Sequence, residues 1–335
     1  MVGIRRYNTC RIWLFLYLTI STVSFIYFYS SGFPECSQQE IQHLTEKYKR
    51  RIGENEKLIH KLSLDIQDLR QVKCGEDKDS KTELKTLYII TPTHTHPEQK
   101  ANLVRLSHTL TLVKKVHWIV VEDSLHKTAL TRNFLKNTGL PYTHLTASTP
   151  PEIKLKYSDP TWLKPKGVLQ RNTALKWIRN NLRDDGVVYF ADDDNTYSIQ
   201  IFEEMRTTRK VSVWPVGLVG GLRYEKPVVE HGKVTGWFTY WKPGRPFPMD
   251  MAGFAVNLKL FFQYPDAKFS NEVPRGYLES TILQQLHIQL DDLEPKASDC
   301  TKILVWHTRT EKTKLDNEKK MLQKYGYSSD PNIEV

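Results

Sequence analysis

The sequence predicts an α/β body carried behind an apolar N-terminal segment and a polar stem. Short apolar strands recur at Leu87–Thr91, Trp118–Val121, Val187–Phe190, Val211–Pro215 and Ile303–Trp306. Helical stretches alternate with the early ones, at Gln99–Leu112, Thr128–Asn137 and Gln170–Leu182. That alternation is the pattern of a sheet wound with crossover helices. One run, Val187 to Phe190, leads directly to Asp192, Asp193 and Asp194. Four apolar or aromatic residues in a row suit a strand buried on both faces. Open α/β sheets bind ligands beyond the carboxyl ends of their strands.

The elements before the body divide the 335-residue chain into segments. Residues 1–11 are basic, with Arg5, Arg6 and Arg11. Ile12 to Ser30 is apolar and aromatic, long enough to span a bilayer. The arginines favour a cytoplasmic N-terminus and put the rest across the membrane, a type II anchor. The other reading is a cleaved signal peptide, although no small-x-small site ends the run.

Residues 31–85 form a stem with a heptad over about 38–73. Ile52, Ile59 and Ile66 occupy one core position; Ile41, Tyr48, Leu62 and Leu69 occupy the other, with Asn55 in that second series. Such a repeat favours a parallel two-stranded coiled coil, hence a homodimer. The alternative is a single amphipathic helix on the body. Cys36 and Cys74 bracket the heptad and are candidates for interchain disulfides in an oxidising lumen. Cys300 stands alone in the body and reads as a buried free thiol.

Net charge is +10, which calls for anionic partners. Nucleic acid is not expected of a lumenal body. Three adjacent carboxylates repel one another unless a cation or donor groups neutralise them. A hard divalent metal carrying a diphosphate uses oxygen ligands of this kind. The bland reading is an acidic turn capping the helix that follows at Ser198 to Arg206.

Other candidates lie at strand and helix ends. His94 follows the first strand, and Glu122-Asp123 ends the second. Lys166 and Arg171 sit at the start of a helix, where the macrodipole disfavours cations, so an anion between them would explain the arrangement. Asp250 precedes a small, apolar segment, in which Gly253 suits close approach to a ligand. Glu279 stands near a helix start, either as a cap or as a base aimed into a cleft. His307 and Arg309 end the last strand and could bind phosphate. Together these are the parts for displacing a diphosphate leaving group.

Phe190 to Ser198, with its Asp192-Asp193-Asp194, resembles the metal motif of the animal β-1,3-glucuronyltransferases. Phe202 to Arg206, Gly220 to Glu225, Asp250 to Val256 and Leu304 to Lys312 resemble that family as well, in order, over about residues 86–312. The resemblance implies a GT-A fold with a UDP-sugar-binding half, 86–195, and an acceptor-binding half, 196–335. It implies inverting transfer of glucuronic acid from UDP-glucuronic acid to the 3-hydroxyl of a terminal galactose, in the Golgi membrane. By motif, Asp194 would bind Mn²⁺, Asp193 the ribose and Asp192 the donor sugar. Asp123 would face uracil, with His94 stacking on it. Lys166, Arg171, Arg275, His307 and Arg309 would bind the donor. Glu225, Arg245, Asp250 and Asn317 would bind the acceptor, and Glu279 would be the general base.

Two positions depart from the family pattern. His94 stands where tyrosine is usual, and Lys166 where arginine is usual, which keeps charge and loses bidentate geometry. Pro246-Phe247-Pro248, Pro274-Arg275-Gly276 and Ser329-Asp330-Pro331 look like the branch acting on the galactosyl-galactosyl-xylosyl linker of proteoglycans. Asn317 looks like the branch acting on N-acetyllactosamine. A catalytically silent lumenal glycan-binding tether on the same fold is the reading from another class.

Overall fold

The computed structural model describes residues 42–58, 61, 84–154, 164–329 and 333–334. They fall into two compact units, divided after Thr82. In the first, residues 42–58 form a helix. Tyr48 and Ile52 are exposed on it, as the apolar stripe of an unpaired heptad would be. The anchor Ile12–Ser30, Cys36, Cys74 and the heptad core residues Ile41, Ile59, Leu62, Ile66 and Leu69 lie outside the described residues. Among the described residues, no helix is long and apolar enough to cross a membrane.

The second unit opens with β1 (Thr86–Thr93), α1 (Gln99–Leu110), β2 (Val116–Glu122), α2 (Ala129–Asn137), β3 (Tyr142–Thr146), α3 (Val168–Asn181) and β4 (Gly186–Phe190). β4-β1-β2-β3 are adjacent and parallel. The apolar runs are continuous because alternate residues enter different cores. Tyr88, Ile90, Ile119, Val121, Val188 and Phe190 face one, with Ala174, Leu175 and Ile178 of α3. Leu87, Ile89, Trp118, Val120, Val187 and Tyr189 face the other, with Leu103, Leu106 and Leu110 of α1. Helices thus cover both faces, and the loops after β1, β2 and β4 emerge together at one end.

The chain continues through β5 (Thr196–Tyr197), α4 (Ile199–Met205), β6 (Val211–Val213), β7 (Val216–Gly217), β8 (Tyr224–Glu230) and β9 (Lys233–Phe238). Then come β10 (Phe254–Asn257), α5 (Leu258–Gln263), α6 (Leu278–Gln285), β11 (Leu293–Pro295), β12 (Val305–Trp306) and α7 (Asp316–Tyr325). β10 runs antiparallel between β4 and β6, and β11 closes the seven-stranded order β11-β6-β10-β4-β1-β2-β3. A smaller sheet, β5-β12-β7-β8-β9, packs against it, with Tyr197, Val216 and Val305 in the same core as Val187, Tyr189 and Ala255.

The predicted helices are present within one or two residues at most ends. Ser198 caps α4 by accepting from Gln200 N–H, so the cap is a serine and not one of the aspartates of the acidic turn. Val211–Pro215 is shorter than predicted: β6 ends at Val213, and Pro215, which has no N–H to give a ladder, separates it from β7. Ile303–Trp306 contracts to β12. β3 and the β8–β9 hairpin were not predicted. The hairpin turns at His231-Gly232, both at positive φ, which suits the twist of its strands. Cys300 is a buried free thiol, as expected, and burial raises its pKa to about 12. Gly253 differs from expectation: a Cβ there would meet Val216 Cγ2 at 3.2 Å, so packing against β7 accounts for its small size.

Candidate active site

The acidic triplet sits just beyond β4, and each carboxylate has a different environment. Asp192 is met by Arg171 of α3, Nη2 to Oδ1 at 2.5 Å. Arg171 is 5% exposed and so does not face solvent, whereas Lys166 of the same helix start is exposed. Its Nη1 donates to Lys166 O at 2.8 Å. Gly167 makes room: it has φ +70°, and a Cβ there would lie 2.7 Å from Arg171 Nη1. Asp193 Oδ2 accepts from Thr93 Oγ1 at 2.7 Å. Burial pushes its pKa up to about 6, against that hydrogen bond. Burial and then Asp192 also raise the pKa of Asp194. The Asp194 carbonyl accepts from Thr308 Oγ1 at 2.6 Å, which ties the triplet to the loop after β12.

Cations gather around it. Burial lowers the Lys166 pKa, as do Lys312 and Arg309 nearby, while Asp194 and Asp192 oppose them. His307 Nδ1 lies 3.1 Å from Asp250 Oδ2. That carboxylate raises the pKa of His307, favouring imidazolium. Asp250 Oδ1 accepts from Ala252 N–H at 2.9 Å, so Asp250 caps a 3₁₀ turn while holding His307.

The ends of β1 and β2 supply the adjoining wall. Asp123 N–H donates to Thr93 O at 2.7 Å, and Asp123 Oδ1 accepts from Thr149 N–H at 2.7 Å. His94 stacks on His96 with centroids 4.4 Å apart and planes at 21°. Protein packed against its inner side lowers the His94 pKa to about 4, with His96 and Lys166 adding to the effect. The ring is therefore neutral near pH 7, and its outer side stays open to solvent.

Glu279 lies in the first turn of α6, which packs into the same core as α3. It is half-buried and does not cap the helix, whose N-cap Tyr277 makes no side-chain cap bond. Burial pushes its pKa up to about 7, Asp250 adds to this, and Arg245 and Arg171 act the other way. Glu225 of β8 is buried and accepts from the Thr239 hydroxyl. Arg245, also buried, donates to the carbonyls of Gly276, Trp241 and Lys242. Its guanidinium lies 5.0 Å from the Trp241 ring, and that of Arg275 lies 5.1 Å from the same ring. Gly276, at φ +85°, leaves space for Trp241, which a Cβ would overlap. Gly276→Ala should cost about 1–3 kcal/mol of stability and displace both arginines. Thermal melts of the variant against the native protein would register it.

Most of the predicted residues thus converge. Asn317 is the exception: it is exposed on α7, and no contact among the described residues ties it to this cluster. Sequence reading missed Thr93, Trp241 and Thr308. Two are hydroxyl residues at strand ends and one is a loop tryptophan, types that have no spacing of their own to signal a site.

The triplet fits a metal held chiefly by a ligand's phosphates. Among the described residues, no group of three or more His, Cys, Asp or Glu side chains forms a metal cage. A cation bound through one or two carboxylates and substrate phosphates needs none. Arg171 Nε and both Asn195 amide atoms are buried without hydrogen-bond partners among the described residues. Asp194 ionises against burial and its neighbour, a strain that a cation would relieve.

Carboxylates and cations thus meet at the strand ends, with a further half-buried carboxylate, Glu279, whose pKa burial raises. The chain belongs to glycosyltransferase family 43, whose model matches residues 106–311. It is 53% identical over 264 residues to a human protein named galactosylgalactosylxylosylprotein 3-beta-glucuronosyltransferase 3, covering 75% of this chain and 78% of that one. It is 54% identical over 258 residues to the rat protein of that name numbered 1, with 75% of each chain covered. The Caenorhabditis elegans relative, sqv-8 of the same name, is 51% identical over 248 residues, covering 72% of this chain and 70% of its own.

Proposed function

We propose that this chain transfers glucuronic acid from UDP-glucuronic acid to the 3-hydroxyl of a terminal galactose, with inversion, on a GT-A fold. The acceptor class follows the relatives' names, galactosyl-galactosyl-xylosyl protein. The observation that carries the reading is Glu279, a half-buried carboxylate with a pKa near 7, separate from the triplet. Inversion requires a base on the side of the sugar away from the leaving group. The acceptor oxygen attacks C1, its proton passes to Glu279, and the C1–O bond to the β-phosphate breaks with its electron pair leaving on UDP. A base tuned near the working pH is best placed to take that proton.

Arg171, Lys166, His307 and Arg309 would face the diphosphate, whose negative charge grows as the bond breaks. Asp194 would hold Mn²⁺, which when bound supplies Lewis-acid stabilisation of that charge. Asp193 would accept from the ribose, Asp192 from the donor sugar, and Asp123 from uracil, with neutral His94 stacked on the base. Glu225, Arg245 and Asp250 would orient the acceptor, and Asn317 would reach it from α7. Membrane anchorage through residues 12–30, a Golgi lumen and a stem-mediated homodimer belong to the same proposal.

The test is an acceptor panel with UDP-glucuronic acid, with and without Mn²⁺. A Galβ1-3Gal acceptor is expected to be used, N-acetyllactosamine little, and omission of metal to stop transfer. The reverse acceptor preference would overturn the assignment. A silent tether would give no transfer to any acceptor.

A further inference from the structure

Behind the donor side of the site lies a buried polar chain that the mechanism above does not use. It begins at Glu122, the last residue of β2, which is 1% exposed. Four donors converge on its carboxylate: His144 Nε2 at 2.6 Å and Thr128 N–H at 3.0 Å on Oε2, and Thr128 Oγ1 at 2.6 Å and Thr131 Oγ1 at 2.7 Å on Oε1. Burial alone would raise its pKa, but these bonds hold it at about 2. At the other end, Thr93 Oγ1 donates to Asp193 Oδ2 at 2.7 Å. Gln99 stands between them, 2% exposed. Its Nε2 reaches Thr93 Oγ1 at 3.3 Å and, at the longer distance of 3.5 Å, Thr131 Oγ1.

The two carboxylate ends fix every direction in this chain. Each threonine hydroxyl has one proton, and each spends it on a carboxylate that can only accept. The oxygens of Thr93 and Thr131 therefore present only lone pairs to Gln99. Only its NH₂ group, with two protons, can satisfy both. An ionised carboxylate in that place, with no proton to donate, could satisfy neither.

We infer that Gln99, backed by Thr131, Glu122 and His144, is a positioning device for the donor site: it holds the Thr93 hydroxyl proton on Asp193 Oδ2 and so fixes the carboxylate that receives the donor's ribose. It joins the carboxyl ends of β1 and β2 and the middle of β3 to the residue beyond β4. The inference rests on the reading of Asp193 as a ribose ligand. Gln99 touches no substrate and acts through Thr93.

The test uses the full-length protein in detergent, with donor KM, acceptor KM and melting temperature measured for Gln99→Met, Thr93→Val, Thr93→Ser and Asp193→Asn. Gln99→Met keeps size and removes both donors. It is expected to raise the donor KM about 3- to 10-fold, the scale of one lost hydrogen bond, with the acceptor KM held within about twofold. Thr93→Val should do the same, and Thr93→Ser, which retains the hydroxyl, should restore the native value. If Asp193→Asn raises the donor KM and Gln99→Met does not, the positioning role is wrong. It is equally wrong if Gln99→Met lowers the melting temperature and moves both KM values by the same factor. If Asp193→Asn leaves the donor KM unchanged, the reading of Asp193 is at fault and the positioning role falls with it.

Discussion

Glu279→Gln is expected to lower kcat/KM for transfer by about 10²- to 10⁴-fold, the usual contribution of a positioned base. UDP affinity should change far less than kcat/KM, because the Glu279 side chain makes no hydrogen bond or ion pair to the triplet among the described residues, although Arg171 acts on its charge. Burial, and after it Asp250, lifts the pKa of Glu279 to about 7. The base works as the carboxylate. In the native enzyme kcat/KM should therefore fall about tenfold per pH unit below 7 and level off above it. A stopped assay from pH 5 to 8 would record that limb, and the glutamine variant should lack it. Retained transfer in Glu279→Gln would remove Glu279 from the role of base. Linkage gives the stability side. A carboxyl with a raised folded-state pKa contributes stability in full below its unfolded pKa and loses it as pH rises from there through the folded pKa. The active, ionised form is thus the less stable one, and the glutamine variant should melt no lower than the native protein at pH 8.

How far the sequence carried the site depended on what each residue's role requires. β1, β2 and β4 were legible because strands buried on both faces have no polar gaps. β3 was not, since Tyr142-Thr143-His144-Leu145-Thr146 puts a polar His144 into the interior. That histidine is tolerated because its ring nitrogen has a hydrogen-bond partner in Glu122, 22 residues away. The same limit applied to the adjacent acids Glu122 and Asp123. Side-chain alternation sends one into the interior and the other toward the open end, but sequence does not say which face is occupied. The motif singled out Asp123, and the structure adds that its neighbour anchors a buried network. Arg171 shows the converse. A basic helix start reads equally well as a solvated face, and only the distance to Asp192 separates the two. Glu279 was legible as a carboxylate at a helix start; its tuning was not, because that comes from burial and from Asp250, Arg245 and Arg171, all remote in sequence.

Asp194→Asn should separate stability from activity in the sharpest way. Burial and then Asp192 raise the Asp194 pKa, so the folded protein holds this carboxylate ionised at a disadvantage that grows as pH rises through that pKa. Asparagine keeps the shape and removes the charge. The Thr308 bond is made to the main-chain carbonyl of residue 194, so the loop tie survives the substitution. The metal-free variant should therefore melt higher than the native protein at pH 7.5. Its transfer rate should nonetheless fall by about 10²-fold or more, because an amide is a poor substitute for a carboxylate on a divalent cation facing a diphosphate. Added Mn²⁺ and UDP should reverse the order of the melts: the native protein gains the linkage stabilisation of a bound ligand, and the variant gains little of it. Calorimetric melts of both proteins, with and without Mn²⁺ and UDP, measure all four terms. A variant that melts lower when metal-free would mean that Asp194 is held by favourable contacts in the folded chain. A variant stabilised by Mn²⁺ and UDP as much as the native protein would mean that another group holds the cation.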